Sequence, residues 1–285
     1  MQELLVNTVK VFALGRDLLL DQLRQLRTED EELSRYVQSL LVLLGDRSQS
    51  AMILIGNGRT WEAEILMRSS MEATIKILFV CFATPSRRSE RISEFWNDLA
   101  EINKLRQSER ARTLAGQVRV KPNPHGEEVV RRVSPIILPR KVEKELAEKW
   151  KDRRNAVENK WAIHRMLKDI QDYMAASFEL AVMESMLHSY GLTSDLIHCS
   201  ETAIWLRADR QARPEPERQL LETAHAARLL SDSLSYLGLI MRGFSHAGSV
   251  PSRTWPPYFS ASERIEAEID GHSRAFWQTQ EQGAS

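Results

Sequence analysis

Residues Thr60 to Ala83 read TWEAEILMRSSMEATIKILFVCFA, a stretch without glycine or proline, and the spacing of its bulky side chains decides the fold class. Trp61, Ile65, Arg68, Glu72, Ile75, Phe79 and Phe82 follow one another in alternating steps of four and three, which is the period of one face of an α-helix. Two charged residues stand in the middle of that seam. The reading predicts a helix from about residue 60 to 83, entered through a helix stop or left-handed turn at Gly56-Asn57-Gly58.

The same period recurs outward in both directions. Leu5, Val9, Phe12, Leu19, Leu23 and Leu26 form one stripe, and Leu33, Val37, Leu40, Leu44, Ala51 and Leu54 form another behind the capping box Thr28-Glu29-Asp30-Glu31. Thr84-Pro85 starts a further helix, with Ile92, Phe95, Leu99 and Ile102 in register until Gly116. Residues 117–139 carry Pro122, Pro124, Pro135, Pro139 and Gly126, and read as an irregular loop. Beyond it the pattern predicts a charged helix near 141–158, a long one over 163–207 and another over 216–243, before Pro251, Pro256 and Pro257 break the register. Only 12 of 285 residues are glycine, and no long segment alternates at period two, so there is nothing from which to build a sheet. The expected fold is an all-α bundle of long antiparallel helices, with residues 1–248 as one domain and 249–285 as a tail holding one short helix near Ser260.

Composition narrows the function classes. With 39 basic and 39 acidic residues no global field draws the chain to nucleic acid or membrane. The greasiest runs, Leu40 to Leu44 and Ile75 to Ala83, fall far short of the roughly 20 apolar residues of a membrane span. Only Cys81 and Cys199 are present, each in an apolar helical pattern, and the start of the chain has no secretory signal pattern, so a cytoplasmic location is expected. Gly56-Asn57-Gly58 lacks the following Lys-Ser/Thr and the third glycine of phosphate loops, no histidine pair or cysteine pair has metal-ligand spacing, and there is no Gly-x-Ser-x-Gly elbow. Neither a metal nor a cofactor is expected.

Two groups of polar residues interrupt apolar stripes. Arg68 and Glu72 are either a buried mutual pair or, with Glu64 and Lys76, an exposed ladder at i, i+4. Farther on, Leu180, Met183, Leu187, Tyr190, Ser194 and Ile197 form a seam in which Tyr190, Ser194 and His198 stand at i, i+4 and i+8, within one 80° sector at about 100° per residue. The run Trp61-Glu62-Ala63-Glu64-Ile65-Leu66-Met67-Arg68-Ser69-Ser70-Met71-Glu72-Ala73, then Lys160-Trp161, then Tyr190-x3-Ser194-x3-His198, resembles the all-helical bacterial domain-of-unknown-function family 5677 over roughly residues 35–240. That resemblance implies that Arg68, Glu72, Tyr190, Ser194 and His198 are its recurring polar positions. In style the chain is also similar to the HEPN-type helical ribonucleases and toxins, marked by an arginine followed at four to six residues by a histidine. The spacings Arg119 to His125 and Arg218 to His225 fit that mark, but with 7 histidines about two fits arise by chance, so the spacing assigns nothing.

The functional expectation is a metal-independent RNA-directed nuclease, of toxin or phage-defence type. His198 would move the proton, Arg68 would neutralise the phosphate, Glu72 would orient one of them, and Tyr190 and Ser194 would donate hydrogen bonds. Between Ser86 and Lys168 stand 21 lysines and arginines against 12 acidic residues, a local balance of +9 that could attract RNA. The alternative is a non-catalytic helical interaction module that binds an acidic partner or nucleic acid, as a homo-oligomer or with a partner protein encoded by a neighbouring gene.

Overall fold

A computed structural model describes residues 1–120, 125–173, 179–248 and 251–283, and every regular element among them is helical. The helices are α1 (Gln2–Leu26), α2 (Glu31–Gly56), α3 (Thr60–Cys81), α4 (Pro85–Ser93), α5 (Leu99–Val120), α6 (Gly126–Val133), α7 (Arg140–Trp150), α8 (Arg154–Lys160), α9 (Ile163–Tyr173), α10 (Glu179–Ile197), α11 (Glu201–Ala212), α12 (Glu215–His246) and α13 (Pro256–Gly283). They gather into two compact units, residues 1–84 with 166–285, and residues 85–165.

In the first unit α3 packs against α2 and α12, and α1 packs against α2, α12 and α13. From Ala73 to Ala83 nearly every residue of α3 and its end is buried, Ile77, Val80 and Cys81 as well as Ile75 and Phe79, so this half is apolar all round rather than along one seam. Small residues let its neighbours close in. Ser48 of α2 and Ser70 of α3 meet at 3.1 Å between hydroxyls, and at Gly243 of α12 an added Cβ would lie 2.9 Å from the Leu78 side chain. Asp30 caps α2 by accepting from the Leu33 N–H at 2.9 Å. At the start of α1 the buried face is Leu4 and Thr8 rather than the expected Leu5 and Val9. Val9 is exposed, and the Thr8 hydroxyl is satisfied by donating to the Leu4 carbonyl at 2.8 Å.

In the second unit α4 runs into α5 through a π-helical turn, Glu94–Asp98. Two Lys-Trp dipeptides each grip one glutamate of this rod. Lys149 and the Trp150 indole donate to Glu101 at 2.6 and 3.1 Å, while Lys160 and the Trp161 indole donate to Glu94 at 2.9 and 3.1 Å. Further pairs, Arg112–Glu143, Arg106–Glu158 and Lys160–Glu90, take up carboxylates of this stretch in ion pairs between helices.

Three expectations need correction. The loop expected over 117–139 is largely regular, because α5 continues to Val120 and α6 and a 3-10 turn at Ser134–Ile136 follow. Pro122 and Pro124 lie outside the described residues. The long helix expected over 163–207 is divided into α9, α10 and α11, the last break falling at Cys199, whose φ of 49° lies in the left-handed region, with Ser200 capping α11. The expected tail is α13, which buries Tyr258, Ile265 and Ile269 after the buried Trp255. It is held where Gly15 of α1 admits the Tyr258 ring, and the Tyr258 hydroxyl donates to the Leu234 carbonyl at 2.5 Å. A Cβ at Gly15 would lie 2.5 Å from that ring, so Gly15→Ala is expected to destabilise the protein by about 1–3 kcal/mol in urea unfolding, as overpacked cores do. A neutral result would detach α13 from the fold.

Candidate functional site

The structure brings together three of the five expected site residues. Arg68 of α3 donates from Nη2 to the Tyr190 hydroxyl of α10 at 2.7 Å, its guanidinium lies 4.1 Å from the Tyr190 ring centroid, and its Nε donates to Glu72 at 3.3 Å. The Arg68 side chain is 14% exposed and that of Glu72 31%, so the pair is at the boundary, neither a buried core pair nor an open ladder. Ser194 and His198 do not join it. Ser194 is half-buried, and among the described residues its side chain has no hydrogen-bond partner. His198 is exposed in the turn after α10, eight residues and about 12 Å of helix rise beyond Tyr190, with no side-chain bond to Arg68, Glu72 or Tyr190. The seam of α10 is turned from the expected one: Met186 and Thr193 are buried, Leu187 and Ile197 are exposed, and the Leu180 and Met183 side chains lie outside the described residues.

The buried charge of α3 sits one turn earlier, at Glu64, which is 2% exposed. Ala63, Met67 and Met71 share its buried side, and α12 supplies its partners. His225 Nε2 lies 2.5 Å from Glu64 Oε2, and Arg228 Nη2 donates to the same oxygen while its Nη1 donates to Asp232 at 3.0 Å. Arg210 of α11 completes the cluster, with Nη2 3.1 Å from His225 Nδ1, Nη1 3.4 Å from the Thr60 hydroxyl and the guanidinium 4.7 Å from the Trp61 ring centroid. A guanidinium can only donate, so His225 Nδ1 is the acceptor. The proton of the neutral ring therefore sits on Nε2 and is donated to Glu64.

Electrostatics agree with that tautomer. Burial lowers the pKa of His225 and outweighs the hydrogen bond to Glu64, which works the other way. For Glu64 burial would raise the pKa, but the His225 hydrogen bond and the Arg228 charge together hold it below the usual carboxylate range. Asp232 goes the opposite way: burial, opposed by Arg228 and reinforced by Glu64 and Glu266, pushes it up to about 6.

A cavity of about 450 Å³ opens beside this cluster, within the first unit. Trp61, Leu192, Leu196, Leu206, Leu221 and Phe276 give it apolar walls, and Glu64, Asp209, Arg210, Arg213, His225 and Arg228 give it polar ones. That volume is in the range of small-molecule sites. Among the described residues no group of three His, Cys, Asp or Glu side chains stands together to hold a metal ion, and no helix is long and apolar enough to cross a membrane.

Sequence reasoning missed most of this cluster. Glu64 appears there only as a rung of the surface ladder, and His225 only in the Arg218 spacing. Arg218 is bound instead to Glu215, on the far side of two helix turns from His225. The available signal was on α12, where His225, Arg228 and Asp232 follow one another at three and four residues between Ala226, Ala227, Leu229 and Leu230. Comparison of the chain with protein-family models, curated proteins and solved structures finds no match in any of the three.

The cluster's pH dependence has two opposed parts. His225, with its folded pKa below the 6.5 of a free imidazole, and Glu64, with its folded pKa below the free carboxyl value, both lose stabilising energy as pH falls. Asp232, raised from 3.8 to about 6, binds its proton more tightly in the fold and gains stability as pH falls through that window. Asp232→Asn should therefore make the decline of Tm between about pH 6 and pH 4 steeper than in the wild type. A parallel or shallower decline would count against this assignment. Glu64→Ala should cost about 1–3 kcal/mol, since it leaves the buried His225 Nε2–H without its acceptor, whereas the more exposed Glu72→Ala should cost under about 1 kcal/mol.

Proposed function

We propose that this protein is a helical binding module that takes a small acidic ligand into the cavity beside Arg210. One observation carries the reading. Arg210 is 7% exposed, forms no ion pair with a carboxylate among the described residues, and keeps its buried Nε without a hydrogen-bond partner. The groups it bonds to or stacks on are neutral, a hydroxyl, an imidazole acceptor and an indole face, while the carboxylates of Glu222 and Glu64 act on it through space. The adjacent Asp209 is engaged with Arg213 at 2.9 Å. Burial holds the Arg210 pKa below its ordinary value and outweighs the charges of Glu222 and Glu64, which work the other way. A buried guanidinium with no carboxylate in direct contact is costly to keep. An acidic ligand in the adjoining cavity supplies that contact, and the apolar walls supply the rest of its binding.

The ribonuclease reading has support in Arg68, which is positioned by Glu72 and Tyr190, but it lacks the expected histidine beside that arginine. His198 stands apart, and the acceptor nitrogen of His225 is occupied by Arg210. Within the basic stretch 86–168, Lys149, Lys160, Arg106, Arg112 and Arg154 are engaged with carboxylates, so any RNA contact falls to the remaining basic residues.

The test is a thermal-shift screen of the full chain against small organic acids, alongside Arg210→Met. A bound acid at one hundred times its Kd is expected to stabilise the wild type by about 2.7 kcal/mol and the variant by none. Without ligand the variant should melt at the wild-type temperature or above, because removing a buried charge that has no carboxylate in direct contact relieves a cost. A large drop in Tm with no acid shifting either protein would make Arg210 structural and end the proposal.

A further inference from the structure

We infer that α11 is a lid over the cavity, latched by the bond from Arg210 to His225 and released when that histidine takes up a second proton. The latch needs no ligand, so it stands whether or not the cavity binds an acid. Attachment of α11 is sparse. Arg210 alone of its residues is buried, Ile204 and Trp205 are 63% and 67% exposed, and Leu206, Asp209 and Arg210 of this helix line the cavity. The helix it chiefly packs on is α10, its neighbour across the turn at Cys199.

The latch depends on one lone pair. Nη2 of Arg210 lies 3.1 Å from His225 Nδ1, and a guanidinium can only donate, so the bond exists only while Nδ1 is bare. Its Nη1 bond to the Thr60 hydroxyl is longer, at 3.4 Å, and the Trp61 ring centroid lies 4.7 Å from the guanidinium. His225 Nε2 already carries the proton that it donates to Glu64. An added proton therefore goes to Nδ1, where it meets a donor, and the bond becomes a contact of two N–H groups between two cations.

Each element around the imidazole bears on that step. From α3 it faces Glu64 and the uncharged Trp61 ring, and from α11 it faces Arg210, with Asp209 and Arg213 paired to each other nearby. On its own helix Arg228 stands beside it, shared with Asp232, while Glu222 acts on Arg210; α10 and α13 give the cavity Leu192, Leu196 and Phe276, none of them charged. Burial, aided by Arg228 and Arg210, outweighs Glu64 and keeps the ring neutral until the pH falls below the ordinary 6.5 of an imidazole. The latch is therefore closed above that value and opens as pH falls. Glu64 keeps both of its partners in the imidazolium state, so α3 and α12 stay joined, and the sparsely packed α11 is the element that gives way.

The experiment is hydrogen exchange of the full chain, read by mass spectrometry over α11 and α3 at about pH 7.5 and about pH 5, with rates corrected for the intrinsic effect of pH. In the wild type the protection of α11 is expected to fall about tenfold at the lower pH while that of α3 holds. Two variants should abolish this selective response. His225→Gln stays neutral at both pH values and offers Arg210 an amide oxygen, and Arg210→Met removes the cation that the imidazolium repels. If one of them does not fold, the other decides. A wild type whose α11 does not change relative to α3, or a folded variant that shows the same selective loss, would overturn the latch.

Discussion

The first unit depends on how one buried carboxylate is satisfied. Glu64 lies on the side of α3 that faces the bundle interior, where an ion without partners would cost more than a small domain can spare. Its hydrogen-bond partners, His225 and Arg228, both come from α12. That requirement ties the register of α12 to the register of α3: a shift of one residue would turn both side chains by about 100° and leave the carboxylate stranded. Glu64 therefore specifies the packing more than it strengthens it. The close approach of the same two helices farther along, at Gly243 against Leu78 and Cys81, agrees with the register that the charges demand.

The polar cluster also explains why the cavity is not filled. Arg228 is shared between Glu64 and Asp232, and His225 between Glu64 and Arg210, so each of these groups has its geometry fixed by two partners. Side chains held at both ends do not relax into an adjacent space, and Leu192, Leu196 and Phe276 of the apolar walls are carried by α10 and α13, whose positions are set by contacts elsewhere. Tyr190 on Arg68 anchors α10, and Tyr258 against Gly15 anchors α13. The space between is what remains when every wall is fastened from behind.

How much of this was legible in the sequence follows from what each pattern can encode. Helical class was legible throughout, because period and the scarcity of glycine act locally. The inward face was legible for α2, where Leu33, Val37, Leu40, Leu44 and Ala51 are all buried, since a long one-sided stripe averages out errors. It was misread at the start of α1 and along α10, where apolar residues such as Val9, Leu187 and Ile197 occur on two faces and tertiary packing makes the choice. Of the site, Arg68, Glu72 and Tyr190 were legible as polar interruptions in apolar seams. Glu64 was not, because a glutamate with arginine four residues on reads as surface pairing, and its true partners lie more than 160 residues away. Arg210 belongs to no periodic pattern at all. Its role arises from where the chain turns.

That turn is the step from which the site follows. Tyr190 touches Arg68 and Arg210 touches Trp61, so residues 20 apart on one segment must meet residues only seven apart on α3. A continuous helix from 190 to 210 would extend about 30 Å, against about 10 Å between the two contact points on α3, and would carry Arg210 well past its partner. The chain resolves the mismatch by breaking at Cys199, where a non-glycine residue accepts φ of 49° at a steric cost of about 1–2 kcal/mol, and by restarting with Ser200 as the cap of α11. The break turns α11 so that its single buried side chain lands over Trp61 and beside His225. A strained backbone position thus carries a buried guanidinium without a direct carboxylate partner to the wall of a cavity, so two locally unfavourable choices meet at one spot.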